Sequence, residues 1–372
     1  MDIKDNLVRF YIQNFIINKS QNIEVPGFIF FKLSGKTPIF ARQVIMPEDF
    51  FVNLESILSK KGKDTQQILY GAGKKFGYRF SLLGGFSDSD TKKGKDLIDY
   101  INIINKFIEG TYALKIECDV DLVTKECTYL MENPIIVNKL GYGVFLPLGA
   151  AAGLLSYIFK DVSIEGVLEK FDLASKEGTL LYAPKDYLNK KGKTFFTETN
   201  LKGLEPTPDY IKLNKIKQLK YSKYSFKMLL DSKLFSFNNG VIMNNDERYF
   251  ILEVSALYII EKELELYSDD IYDAAFNTGY KMLKSINNAS KKTVIDYMSA
   301  FGWGDILILN KEDSYTVNVD YFPYTKFYNE VKLVIFSGLI AGMLSIITNK
   351  NIRFRKIDKK VSAGYLSISL FS

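Results

Sequence analysis

GAAAGLLS at Gly149–Ser156 and GLIAGMLS at Gly338–Ser345 are two versions of one phrase. Each keeps a Gly, three small or apolar residues, a second Gly, one apolar residue and Leu-Ser. Upstream, Ile98-Asp99-Tyr100 answers Ile295-Asp296-Tyr297, and Tyr70, Ala72, Gly77 and Tyr78 answer Tyr272, Ala274, Gly279 and Tyr280. The matches keep their order, and their offset drifts from 202 to 197 to 189, as changes in loop length would make it. The expected architecture is α+β: two tandem copies of one module, each an antiparallel sheet with helices on one side, forming an intrachain pseudo-dimer. The expected boundaries are residues 1–184 for the first module, 185–224 for a connector and 225–372 for the second.

The pattern around these phrases gives the elements. From Gly27 to Ile45 two apolar runs flank a turn at Ser34–Thr37, and a helix with Pro47 in its first turn follows. Helices are expected from Thr65 to Leu82 and from Gly94 to Phe107. Tyr112, Leu114, Ile116, Cys118, Val120 and Leu122 then alternate with charged residues, the mark of a strand with one buried face. Its return is near Cys127–Met131, and strands at Val162–Val167 and Thr179–Ala183 close the module. In the second copy a hairpin joins one strand at Phe235–Met243 to another at Arg248–Glu253. Helices capped by Ser255, Asp269 and Ser290 follow. Strands are expected at Ile306–Leu309 and Tyr315–Tyr321, an apolar helix at Val334–Thr348, and closing strands at Ile352–Ile357 and Tyr365–Phe371.

Composition narrows the chemistry. The chain has 372 residues and no histidine, which removes the usual general base and the commonest metal ligand. Catalysis would have to rest on carboxylates, Lys, Tyr, Cys or a cofactor. The two cysteines, Cys118 and Cys127, are too few for a metal site and are expected as small buried residues, with a thiol pair or disulfide second. They suit a reducing cytoplasm, and Met1–Phe15 has no long apolar run to serve as a signal peptide. The uncharged runs Gly143–Phe159 and Leu333–Thr348 fall short of the roughly 20 residues a bilayer span needs, so no membrane span is expected. Tyr70-Gly71-Ala72-Gly73-Lys74-Lys75 is no phosphate loop: Ile68 stands where a Walker motif needs its first Gly, and Lys75 where it needs Ser or Thr. Its glycines suit close helix packing.

Between Lys185 and Lys227 stand eleven lysines and four acidic residues, a net of +7 in a chain whose total is +6. The basic excess therefore sits in the connector. Lys212, Lys215, Lys217, Lys220, Lys223 and Lys227 alternate with Tyr221, Tyr224 and Phe226, but no groove-reading motif accompanies them and nucleic acid is not an expected partner. The expected role is a solvated linker followed by the first helix of the second module, which docks through Phe226, Leu229 and Leu230 with its Lys face in water.

A Tyr-x-Ala-Gly-type helix turn, a strand hairpin, a Gly-x-x-x-Gly-x-Leu-Ser helix and two closing strands together resemble the 4-vinyl-reductase domain family. Tyr70-Gly71-Ala72-Gly73 with Gly77 carries the first motif; Gly149, Gly153 and Ser156, with Gly338, Gly342 and Ser345, carry the second. That family is related to transport-particle (TRAPP) subunits and to sensor domains of some aromatic-responsive regulators. The resemblance implies a module that binds small hydrophobic molecules and dimerises. The cysteines common in the family's closing segment are missing from Val162–Pro184 and Ile352–Ser372, so a metal- or thiol-dependent role is not expected. The expected function is non-enzymatic binding or sensing of a hydrophobic small molecule, without a cofactor. The alternative is a protein–protein scaffold with no ligand; a cofactor-dependent enzyme or weak nonspecific nucleic-acid binder is third. Tyr70, Tyr78, Tyr100, Phe145, Tyr272, Tyr280, Tyr297 and Trp303 are the candidate pocket residues: their rings offer apolar walls and their polar atoms offer handles.

Overall fold

A computed structural model describes residues 21–33, 39–85, 89, 91–141, 144–196, 199–204, 219–238, 240–284, 286, 288–311, 314–324, 330–353, 357–362 and 365–371. The first-half elements are β1 (Gln21–Asn22), β2 (Ile29–Leu33), β3 (Ile39–Pro47), α1 (Glu48–Ser59), α2 (Lys63–Phe80), α3 (Lys95–Ile108), β4 (Lys115–Asp121), β5 (Glu126–Glu132), the short α4 (Val137–Leu140), α5 (Phe145–Ile158), β6 (Ile164–Asp172) and β7 (Glu177–Pro184). Two short helices follow, α6 (Lys185–Lys190) and α7 (Phe226–Asp231). The second half runs β8 (Ser236–Asn238), β9 (Val241–Asn244), β10 (Glu247–Glu253), α8 (Ser255–Glu263), α9 (Ser268–Lys284), α10 (Lys291–Ala300), β11 (Asp305–Lys311), β12 (Ser314–Asp320), α11 (Val334–Thr348), β13 (Ile357–Ser362) and β14 (Tyr365–Phe371). The protein is α+β, and every strand pairing is antiparallel among the described residues.

Two four-stranded sheets share one topology, β4-β5-β7-β6 and β11-β12-β14-β13. A third sheet joins the halves in the order β1-β2-β3-β10-β9-β8. At its centre Ile45 faces Ile251, with Val44↔Leu252 and Met46↔Phe250 on either side. Adding 206 to 44, 45 and 46 gives 250, 251 and 252, so each strand meets the other as a two-fold axis would place it. The halves also exchange packing: α1 lies on α9, and α8 lies on α2. The largest apolar core accordingly draws on both halves, from Ile29 and Val44 to Ile340 and Leu344.

The closest element pairs are α2 with α5 and α9 with α11. A Cβ at Gly73 or Gly77 would overlap the carbonyl of Leu146 or Ala150, and one at Gly149 or Gly153 the carbonyl of Tyr70 or Lys74. In the second half, Gly279 meets Leu339 and Gly342 meets Phe276 in the same way. The small-residue faces of α5 and α11 thus pack on α2 and α9 of the same half, because glycines on both partners let backbone meet backbone.

Other expectations are corrected in detail. Pro47 is the N-cap of α1 and not a first-turn residue. The strand expected at Phe235–Met243 is two strands, β8 and β9, turned at Gly240 with φ +78°. Ser255 and Ser268 are the first helical residues of α8 and α9, so neither Ser255 nor Asp269 is the cap; Ser290 is, in a capping box with Thr293. Leu114 precedes β4 and is exposed. The first closing strand begins at Ile357, not Ile352, whose N–H is spent on the Ser345 hydroxyl. Phe226 and Leu229 dock as expected, with Leu230 half-buried. The Ser34–Thr37 turn, Met1–Phe15 and Lys212, Lys215 and Lys217 lie outside the described residues. No helix among the described residues is long and apolar enough to cross a membrane.

Candidate functional site: an apolar cavity in the first half

The start of α5 is held by a carboxylate. Val144, left-handed at φ +70°, turns the chain into the helix, and its N–H donates to Glu55 at 2.8 Å. The Leu146 N–H donates to the same group at 3.2 Å. Free amides at a helix start favour a negative charge. Burial nevertheless dominates and pushes the Glu55 carboxyl up to about 7, against the lowering by these amides. Glu261 on α8 repeats the device, accepting from Val334 at 3.1 Å and Ile335 at 3.2 Å at the start of α11.

Beside this helix start lies a cavity of about 150 Å³. The glycine contact draws α2 against α5, leaving Phe76 and Phe80 on one wall and Pro147, Ala150 and Leu154 on the next. Met131, Leu180 and Tyr182 from β5 and β7 form the floor. Two loops supply Thr111, Tyr112, Pro134 and Ile135, and they are tied together by the Ile135 N–H donating to the Tyr112 carbonyl at 2.9 Å. The central sheet closes the space with Gln43 from β3 and Ile251, Leu252 and Glu253 from β10, so the second half contributes a wall.

The matching place in the second half is filled. Lys115 and Asp305 each begin a strand and pair with the last residue of the next, Glu132 and Asp320. Counting from these pairs, Trp303 stands where the first half has Ala113, and Phe322 where it has Pro134. Phe336, third in α11, stands where Pro147 is third in α5. Trp303, Phe322 and Phe336 are buried against one another, with centroids 5.0–6.0 Å apart. Two of these three positions, Pro134 and Pro147, line the cavity, and both are aromatic in the second half.

None of the eight candidate residues lines this cavity. Tyr70 is buried; its hydroxyl donates to Glu165 at 2.6 Å and accepts from the Gly166 N–H at 2.9 Å. Burial first, and then Glu165, hold its phenol far above the usual range. Lys74 donates to the other Glu165 oxygen at 2.7 Å, so a buried ion pair stands where the second half has Phe276. Phe145 and Tyr70 both pack on Phe196. Tyr78 packs edge-on to Tyr157, Tyr100 borders the small Ile101–Ile104–Leu154 cluster, and Tyr272 stacks on Phe276. Tyr280 is 39% exposed. Tyr297 joins the Phe235–Phe301 cluster, and Trp303 fills the second half as described. Cys118 and Cys127 are free thiols, the first half-buried and the second buried. The neighbouring Cys118 thiol, and then burial, raise the Cys127 thiol well above its ordinary range.

The residues that build the site share no local pattern, because helix faces, strand ends and loops far apart in the chain each supply a few of them. The repeat offered a signal nonetheless, since Pro147 and Phe336 share the offset of 189 that aligns the two Gly-rich phrases. No family model matches the chain, and no curated protein matches it.

Proposed function

We propose that this chain binds a small hydrophobic molecule without catalysis, as two fused modules of the 4-vinyl-reductase type with one working site. The apolar cavity carries this reading. An apolar cavity of about 150 Å³ can admit benzene or xenon, so the ligand class is a single ring or a short hydrocarbon with at most a small polar group. The shared sheet order, the symmetric pairing about Ile45 and Ile251 and the matched Glu55 and Glu261 support the pseudo-dimer. The filled interior at Trp303 favours the scaffold reading for the second half alone.

The test is a benzene titration of the full chain, followed by NMR of labelled methyl groups. Saturable shifts are expected at Met131, Leu154 and Leu180 and not around Trp303. Pro147→Phe copies the second half into the first and is expected to abolish the shifts while leaving the fold intact. Absence of any saturable shift in the wild type would overturn the ligand reading in favour of the scaffold. Native mass spectrometry of protein from its source would then be expected to give a clean apo mass.

A further inference from the structure

We propose that Arg248, which belongs to the second half and does not line the cavity, is the positioning residue for the first half's cavity walls; this rests on the ligand-binding reading above. Arg248 lies on β10 and is only 5% exposed. Its guanidinium donates to the Gly110 carbonyl at 2.5 Å, to Asn133 at 3.2 Å and to Thr111 at 3.5 Å. These carbonyls belong to the two loops that present Thr111, Tyr112, Pro134 and Ile135 to the cavity. Gly110 and Asn133 are both left-handed, with φ of +81° and +48°. One planar fork from the other half thus sets the spacing of two cavity walls.

Arg42 supplies the internal control. It stands 206 residues before Arg248 and clamps the second half's counterparts, donating to Gly302 at 2.7 Å and Tyr321 at 3.2 Å. Those two residues are again left-handed, with φ of +90° and +61°. Arg42 also holds Gly27 at 2.8 Å. The loops it clamps surround the interior where Trp303, Phe322 and Phe336 pack on one another. Lysine cannot reproduce either fork, because its ammonium is a single point of donation.

The experiment compares Arg248→Lys with Arg42→Lys in the full chain. Both are expected to lower thermal stability to a similar degree. Benzene affinity is expected to fall about tenfold in R248K, a loss of about 1.4 kcal/mol, and to stay within about twofold in R42K. Hydrogen exchange at the Tyr112 and Ile135 amides is expected to quicken at least tenfold in R248K only. Equal effects of the two variants on affinity would overturn the proposal, since a purely structural clamp would not discriminate. Failure of the wild type to bind benzene would overturn the ligand reading instead; unchanged exchange at Tyr112 and Ile135 in R248K would then overturn the clamp independently. Should R248K not fold, the unmutated protein decides: benzene must slow exchange at Tyr112 and Ile135 and leave Gly302 and Trp303 unaffected, and any other pattern overturns the proposal.

Discussion

Glu55 shows how one buried carboxyl ties stability to pH. Its folded-state pKa of about 7 lies above the ordinary 4.5. The folded chain therefore binds more protons than the unfolded chain between those values, and stability falls as pH rises through the window. The contribution is full below about pH 4.5 and lost above about pH 7, with a range on the order of 3 kcal/mol. Glu55→Gln keeps a carbonyl acceptor for the Val144 and Leu146 amides but cannot titrate. Urea denaturation at pH 5 and pH 8 is expected to show the wild type losing stability relative to E55Q across the interval; parallel behaviour would refute it. Neither Glu55 nor Arg248 stood out in the sequence, because an isolated charge in an amphipathic run reads as a solvated face. Glu55 and Glu261, like Arg42 and Arg248, are 206 residues apart, an offset that the apolar phrases do not share and that became visible only in the β3–β10 pairing.

At the scale of elements, local pattern carried far. The strand at Tyr315, the helix at Val334–Thr348 and the cap at Ser290 follow from period and capping chemistry, and they stand where that chemistry puts them. What pattern could not reach was the partner of each face. Alternation buries one side of a strand without naming its neighbour, so the β3–β10 joint was not legible. Likewise, a Gly-rich helix announces close approach without saying to what. The α2–α5 contact makes that approach testable. Gly77→Ala and Gly342→Ala must force backbones apart, and each is expected to cost about 3 kcal/mol or more in chemical denaturation. Gly71 lies on the same helix as Gly77 but faces only the Thr199 side chain. Gly71→Ala is expected to be neutral or to gain up to about 1 kcal/mol from helix propensity. Equal losses at Gly71 and Gly77 would contradict the packing account.

For the whole molecule, the shared sheet and exchanged helices mean that the largest core is buried only with both halves in place. Residues 1–204 expressed without the rest would leave β3 as an open edge and α2 without α8. Residues 1–204 and 219–372 made as two chains in one cell are expected to co-purify as a one-to-one complex, measured by light scattering. Independent monomers would contradict the interlocked arrangement. The two-fold pairing about Ile45 and Ile251 also bears on descent. In an assembly of identical subunits every mutation is made twice, and a change that fills one site fills both. Once the partners are written in a single gene, each position can vary by itself. On the proposed reading of two fused modules, one half would then be at liberty to fill its interior with a tryptophan and two phenylalanines while the other stayed open, and the filled half would still be held in place by the strand pairing that both halves share.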